Sequence, residues 1–432
     1  MDISELYSIF CKHPVVTTDT RDCPRGAMFF ALKGATFDGN AFAASALEKG
    51  CAYAVVDDEK VVKNGDERYV LVENVLDTLQ QLARYHRQKL GTTVIQVTGT
   101  NGKTTTKELM AAVLSEKYSV LYTLGNFNNH IGVPKTLLRL KPEHEIAVIE
   151  TGASHPGEIK MLSNIADPDC GLITNVGKAH LAGFGSFEGV IKTKGELYDY
   201  LRNKKGGFIF RDGNNKHLAK ISQGLKSVTY GLLNNGFDVE GKVVECNPYL
   251  KITWRPKDGE WETVQTRLIG AYNLQNVLAA AAVGVRFGVE TKQISKALRN
   301  YEPTNNRSEF KKTENNELII DAYNANPTSM KAALANFSEI IHPRKMAILG
   351  EMCELGKASA EEHEKIVSML PSTGCEEVWL VGKEFKPFAG KNPYFDTVED
   401  VEKALKEKKM KGRLILIKGS NATHLYQLPE FL

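Results

Sequence analysis

The stretch Val97–Leu114, VTGTNGKTTTKELMAAVL, restricts the possible folds more than any other part of the chain. Val94, Ile95 and Val97 form a short β-branched run that reads as a buried strand. Gly99, Thr100, Asn101, Gly102, Lys103, Thr104 and Thr105 follow, and then Leu109/Val113 and Met110/Leu114 fall at helical i,i+4 spacing. Strand, glycine loop, Lys-Thr and helix start form the layout of a phosphate-binding loop. Glycines let backbone N–H groups turn inward around an anion, and the helix N-terminus adds roughly half a positive charge. Lys103 is expected to reach the outer phosphates, and the Thr104 hydroxyl to bind a magnesium ion. Only two residues separate Gly99 from Gly102, fewer than in the usual motif. A plain glycine-rich turn explains the spacing but not the Lys-Thr-Thr-Thr run with its flanking elements, so a nucleotide site is expected.

At 432 residues the chain has room for about three domains. A net charge of +3 is too small to argue for nucleic acid or a membrane surface as partner. The start, MDISELYSIF, lacks the basic region and apolar run of a secretion signal, and the apolar run near Leu278–Val285 is too short to span a bilayer. The seven cysteines are odd in number, scattered and without a CxxC pair, so neither a disulfide framework nor a zinc site is expected. These features fit a cytoplasmic protein without membrane insertion.

The pattern along the chain predicts an α/β protein of three units. Residues 1–88 read as a small α/β domain with strands at Met28–Leu32 and Ala52–Val56, helical stretches at Ala41–Lys49 and Val75–Lys89, and Leu71-Val72 between them. Asp19, Arg21, Lys33, Gly34, Asp38 and Gly39 gather at strand ends, as turn and surface residues or as ligand contacts. Residues 89–303 alternate strands and helices, the pattern of a mainly parallel sheet. Its strand Ile146–Gly152 brings Glu150 to the carboxyl edge, where it is either a magnesium ligand facing the phosphate loop or a capping acid. His180 follows the strand Gly171–Val176 in similar register, as a ligand or a structural histidine. Lys192 and Lys194 lie where a helix begins, and a solvated face would also account for them. Asn126, Asn128 and Asn129 suit turns, or a surface that hydrogen-bonds a sugar or peptide. Asn273 and Asn276 share one helical face, as a cap or as contacts to an adenine edge. Tyr301–Arg307 reads as a linker, and residues 304–432 as a Rossmann-like domain with four strands, at Leu318–Ile320, Lys345–Leu349, Val378–Val381 and Leu414–Ile417. No GxGxxG accompanies them, so a dinucleotide is not expected there. A GTPase would need an NKxD-type guanine reader, which the central unit's last strands lack, while a P-loop kinase or a nucleotide-binding scaffold stays open at this level.

GTNGKTTT, ETGASHPGEI, TNVGKAHLAGFGS, KTKGELY, GAYNLQNVLAA and DAYNANPTSM resemble, in that order, the motifs of the Mur ligase superfamily. The resemblance runs from the Asp19-Thr20-Arg21 segment to Lys418-Gly419-Ser420. NFNNHIGVP, DAYNANP and LGEMCELG are similar to the branch that joins D-alanyl-D-alanine to UDP-N-acetylmuramoyl-tripeptide. The DNPR motif of the sister ligase that adds the third residue is missing from the last unit, and GKTT stands where folate-polyglutamate ligases have GKGS.

The resemblance implies a UDP-sugar domain over residues 1–88, an ATPase over 89–303 and a domain over 304–432 that closes on ATP and binds the incoming amine. It implies a monomeric carbon–nitrogen ligase of peptidoglycan precursor synthesis that uses ATP and magnesium and works through an acyl phosphate; a relative that adds a single amino acid is the nearest alternative. Carried over by position, Lys103 serves the β- and γ-phosphates, Thr104 and Glu150 a magnesium ion, and His180 and a carbamylated Lys194 a second ion. Asn273, Asn276, Arg307 and Asp321 are the implied ATP contacts. Asp19, Arg21, Asn126, Asn128 and Asn129 are the substrate contacts, with Asn324, Asn326 and Glu354 as candidates around the dipeptide. Tyr323 stands where some relatives have a lysine, and Glu302–Arg307 is the implied hinge.

Overall fold

In the computed structural model, residues 2–303 and 307–432 are described. Thr304, Asn305 and Asn306, in the middle of the expected hinge, lie outside the described residues.

Three α/β sheets follow one another along the chain. The first has four parallel strands in chain order, Val16–Thr17, Met28–Phe30, Tyr53–Val56 and Tyr69–Leu71. Side chains alternate across a strand. Phe29 therefore packs with Ala43, Ala46 and Val56 under the helix Ala43–Glu48, while Met28 and Phe30 face the other way, onto Leu6, Phe10 and Leu79. The helix Ile3–Lys12, not anticipated from the sequence, opens with a capping box in which the Asp2 carboxylate accepts the N–H groups of Ser4 and Glu5. The helix Val75–Leu90 starts at the Asn74 cap and stops at Gly91, whose φ of +68° suits glycine. Its buried face, with Leu79, Leu82 and Ala83, joins Val133, Leu137 and Ile159 of the central unit in one core. The first two units therefore share packed apolar surface.

The central sheet has nine strands, ordered Glu262–Ile269, Tyr249–Pro256, Val239–Cys246, Ser227–Leu232, Phe208–Asp212, Cys170–Ile173, Thr93–Thr98, Ile146–Glu150 and Val120–Tyr122. All neighbours run parallel except the final hairpins, which pair Val239–Cys246 with Tyr249–Pro256 and the latter with Glu262–Ile269. The hairpin strands alternate, burying Leu250, Ile252 and Trp254 against the helix Leu274–Arg286 and leaving the intervening residues more exposed. Thr93–Thr98 lies between Ile146–Glu150 and Cys170–Ile173. The chain leaves it on one side and returns on the other, which opens a crevice at the strands' carboxyl ends.

The helix expected to begin near Lys192 instead runs from Phe187 to Asn203, with the Ser186 hydroxyl accepting the Gly189 N–H at 3.1 Å. Gly189 and Gly195 weaken the local helical signal, and the cap with tertiary packing overrides them. Lys194 is consequently mid-helix and buried, not on a solvated face.

The third sheet is ordered Glu309–Lys312, Glu317–Asp321, Leu414–Lys418, Lys345–Gly350, Glu377–Val381 and Tyr394–Phe395, parallel except for its first pair. It has the four expected strands and two short edge strands besides. Apolar clusters cover both faces. Among the described residues, no helix is long and apolar enough to cross a membrane.

Candidate active site

The loop after Thr93–Thr98 reaches its shape through close backbone approach. Gly99 has φ +143°, and a Cβ there would lie 2.0 Å from the Thr174 hydroxyl oxygen; at Gly102, φ +77°, it would lie 2.6 Å from Asn276 Oδ1. Asn175, which the sequence does not single out, accepts the Asn101 N–H through Oδ1 at 3.0 Å and donates through Nδ2 to the Asn101 carbonyl at 2.9 Å. Thr174 donates to the same carbonyl at 2.7 Å. Lys103 Nζ donates to the Thr100 carbonyl at 2.9 Å. Burial pushes the Lys103 pKa down to about 8, against the opposing pull of Glu150. The loop borders a cavity of about 570 Å3, which Thr100, Asn101, Gly102, Lys103 and Thr105 help to line.

Glu150, 1% exposed, reaches this cavity from the next strand. Its Oε1 accepts Asn128 Nδ2 at 2.8 Å, while Oε2 is buried with no hydrogen-bond partner among the described residues. Thr104, 2% exposed in the first turn of the helix Lys103–Leu114, likewise has a buried, unpartnered hydroxyl. Two hard oxygens left unsatisfied beside a phosphate loop fit a magnesium ion shared with phosphate oxygens. Among the described residues, no group of three or more His, Cys, Asp and Glu could hold a metal by itself.

His180 lines the cavity with a left-handed φ of +50°. Its Nδ1 faces the Glu354 carboxylate without an aligned hydrogen bond. Burial pushes its pKa down, with Glu354 pulling the other way and Lys103 and Lys194 adding to the depression. Lys194 lies behind the cavity wall, donating to the Ala153 carbonyl at 3.3 Å, with Nζ 5.3 Å from the Phe184 ring centroid. Burial, and then the charge of Lys103, lower its pKa to about 7. Glu150, Asp321 and Glu354 are expected from the sequence among the acids of this cavity; the folded chain adds Glu158 and Asp212, which the sequence does not single out.

Asn273 and Asn276 both line the cavity and bond to each other, Asn276 Nδ2 donating to Asn273 Oδ1 at 2.7 Å. Asn276 Oδ1 also accepts the Thr106 hydroxyl at 3.1 Å, which braces the phosphate-loop helix against Leu274–Arg286. Of the loop asparagines, Asn128 supports Glu150 and Asn129 Oδ1 accepts the N–H groups of Ile131 and Gly132. Asn126 lines the cavity.

The third sheet supplies the opposite wall. Asp321 pairs with Lys418, 1% exposed, at 2.5 Å. Arg307 stacks on Tyr323, its Cζ 3.6 Å from the ring centroid. Asn326 Nδ2 donates to Asn101 Oδ1 at 2.7 Å, so the DAYNANP segment touches the tip of the phosphate loop. Lys178 pairs with the buried Glu362 at 2.8 Å across the same junction. Asp19 and Arg21 stand apart from the cavity lining as an exposed pair 2.7 Å apart, although Lys135, just beyond the Asn126–Asn129 loop, is near enough to lower the Asp19 pKa after Arg21 has done so.

Comparison with known proteins identifies this arrangement. Residues 14–87 match the model for the Mur ligase family, catalytic domain; 97–284 match the Mur ligase middle domain; and 306–421 match the Mur ligase, glutamate ligase domain. The UDP-N-acetylmuramoyl-tripeptide–D-alanyl-D-alanine ligase of Bacillus subtilis is 37% identical over 96% of this chain and 92% of its own length. The chain belongs to the Mur ligase family. A ligase of the same description from Escherichia coli is 35% identical to this Mur ligase over 85% of the chain and 81% of its own. Crystal structure I of MurF from Acinetobacter baumannii overlays this Mur ligase with a TM-score of 0.86 at 30% identity, covering 96% of this chain and 92% of that one. The MurF ligase of Thermotoga maritima in complex with ADP gives 0.85 at 29% identity, covering 96% of each.

Proposed function

We propose that this Mur ligase is the carbon–nitrogen ligase that joins D-alanyl-D-alanine to UDP-N-acetylmuramoyl-tripeptide in peptidoglycan precursor synthesis, with ATP as co-substrate. The observation that carries it is a pair of buried oxygens without hydrogen-bond partners among the described residues: Thr104 Oγ1, next to Lys103 in the helix start, and Glu150 Oε2, from a residue that lines with Lys103 a cavity walled by two sheets. The relatives over nearly the whole chain carry that name. A carboxylate is a poor electrophile until one oxygen becomes a phosphate leaving group. The tripeptide's terminal carboxylate attacks the γ-phosphorus of ATP and ADP leaves; the dipeptide amine then attacks the acyl carbon, loses a proton and expels phosphate. Lys103 offsets charge on the transferred group, and Arg307 and Asp321 meet ATP from the facing wall.

Magnesium, when bound, supplies charge neutralisation, with Thr104 and Glu150 as its holders and His180 and a carbamylated Lys194 serving a second ion. Lys194 suits carbamylation because burial and Lys103 leave much of it as free amine near neutral pH. Residues 1–88 take the UDP-sugar end through Asp19 and Arg21, with Asn126 on the path to the cavity; residues 89–303 bind ATP, and residues 304–432 bind the amine near Asn324, Asn326 and Glu354. The protein works as a cytoplasmic monomer.

The test supplies UDP-N-acetylmuramoyl-tripeptide, ATP and magnesium and compares D-alanyl-D-alanine with D-alanine, L-lysine and meso-diaminopimelate by phosphate release and product mass. The dipeptide is expected to give the fastest amide formation. A faster single amino acid would move the chain to a sister ligase.

A further inference from the structure

Two tyrosines outside the phosphate machinery bracket Arg307. The 3.6 Å separation between its Cζ and the Tyr323 ring centroid is short enough only for the guanidinium to lie over the ring face. Tyr323 comes two residues after the strand Glu317–Asp321, so its backbone is anchored at the end of a third-sheet strand. Behind Arg307, Ser308 has a left-handed φ of +51°, a conformation that non-glycine residues hold only where their surroundings determine it. The Ser308 hydroxyl and the Tyr272 phenol share a hydrogen bond of 2.8 Å. Tyr272 precedes Asn273 at the start of the central unit's helix, so the backbone beside Arg307 is tied to the central sheet while its guanidinium is tied to the third.

All four residues line the cavity that contains Lys103. Arg307 Nε is buried there with no hydrogen-bond partner among the described residues. A buried guanidinium N–H without an acceptor is unfavourable unless an incoming ligand accepts from it. A free arginine side chain would lose much rotamer freedom on binding an anion; one already stacked has lost it beforehand.

We infer that Tyr323, assisted by Tyr272, is a positioning residue for Arg307: the Tyr323 ring and the Tyr272–Ser308 bond hold the guanidinium aimed into the nucleotide cavity before ATP enters. This rests on the nucleotide role proposed above. The stack needs the ring and not the phenol oxygen, whereas the Ser308 anchor needs the Tyr272 hydroxyl.

Titration calorimetry of the full chain with magnesium and a non-hydrolysable ATP analogue separates these contributions. Y323F should bind within about twofold of the unaltered chain, and Y323L about tenfold more weakly. Y272F should lose about fivefold, the worth of one hydrogen bond. In an Arg307→Met background, adding Tyr323→Leu should change affinity by no more than about twofold, because the ring acts through the arginine. The inference is overturned if Y323F is as weak as Y323L, or if Tyr323→Leu still costs about tenfold without Arg307. If the unaltered chain itself fails to bind the analogue, the nucleotide role falls, a result distinct from loss confined to the variants.

Discussion

Lys103 donates to the Thr100 carbonyl and feels the charge of Glu150, and burial lowers its pKa to about 8. Lys103 therefore loses its charge as pH rises through that value. In the free enzyme this should appear as a fall in kcat/KM for ATP above about pH 8, while kcat at saturating ATP should hold to higher pH because bound phosphates favour the ammonium. Lys103→Ala should abolish turnover without unfolding the chain, since a charge pair near 4 Å is worth roughly 4 kcal/mol at an effective dielectric of about 20. Phosphate release near the unaltered rate from a folded variant would displace the nucleotide from this loop. The carbamate proposed for Lys194 would impose the opposite requirement, since CO2 adds only to a neutral amine, which dominates above about pH 7. Lys194→Ala should be nearly inactive and partly restored by short carboxylic acids, which supply the missing anion. Phosphate-release assays with and without added acetate measure this, and no restoration would count against a carbamate.

At the scale of elements, Asp167 shows how helices are locked together at the edge of the central sheet where its strands begin. It ends the helix Glu158–Ala166 with a left-handed φ of +47° and accepts Lys204 Nζ at 2.5 Å, the Tyr200 hydroxyl at 2.6 Å and Gln88 Nε2 at 3.1 Å. Three helices thus meet on one carboxylate. Burial alone would raise its pKa, but Lys204, Tyr200 and Gln88 outweigh burial and hold it at about 2. With the folded pKa below the unfolded value, the stabilisation is complete above about pH 4 and is lost as pH falls toward 2. Asp167→Asn should cost about 1–3 kcal/mol at pH 7 by stranding these donors. The gap in thermal midpoint between the two proteins should narrow as pH falls from about 4 toward 2, by calorimetry at several pH values. A constant gap would assign the cost to packing.

Taken whole, the molecule depends on the third sheet docking against the central one, because the cavity is lined from both. Glu362, 1% exposed, holds this junction by receiving Lys178 from the central unit and Lys331 and Lys365 from its own side. Burial disfavours its charge, yet the lysines keep its pKa at about 2. Lys178→Glu sets two carboxylates against each other there. It should enlarge the radius of gyration in small-angle scattering and weaken binding of an ATP analogue. An unchanged radius and affinity would show that docking does not rest on this pair.

How much of this was legible in the sequence follows from how local each signal is. The strand–loop–helix around Lys103, the strand ending at Glu150 and the stop of Val75–Leu90 at Gly91 are written in neighbouring residues, since apolar period, glycine conformation and caps act over a few positions. Nothing local marks Lys194 as buried, because two glycines blur its helix and its burial comes from Phe184 and from a helix packed on the sheet face opposite the phosphate-loop helix. Asn273 and Asn276 were legible as a pair on one helical face, but their bracing of Thr106 depends on two helices meeting. The partners Asn326 with Asn101, Lys418 with Asp321 and Tyr323 with Arg307 likewise depend on strand order and domain docking. Sequence by itself determined the elements and the chemistry available at their ends. Which of those ends face one another was decided only in the tertiary structure, because that choice rests on apolar faces finding partners far away along the chain.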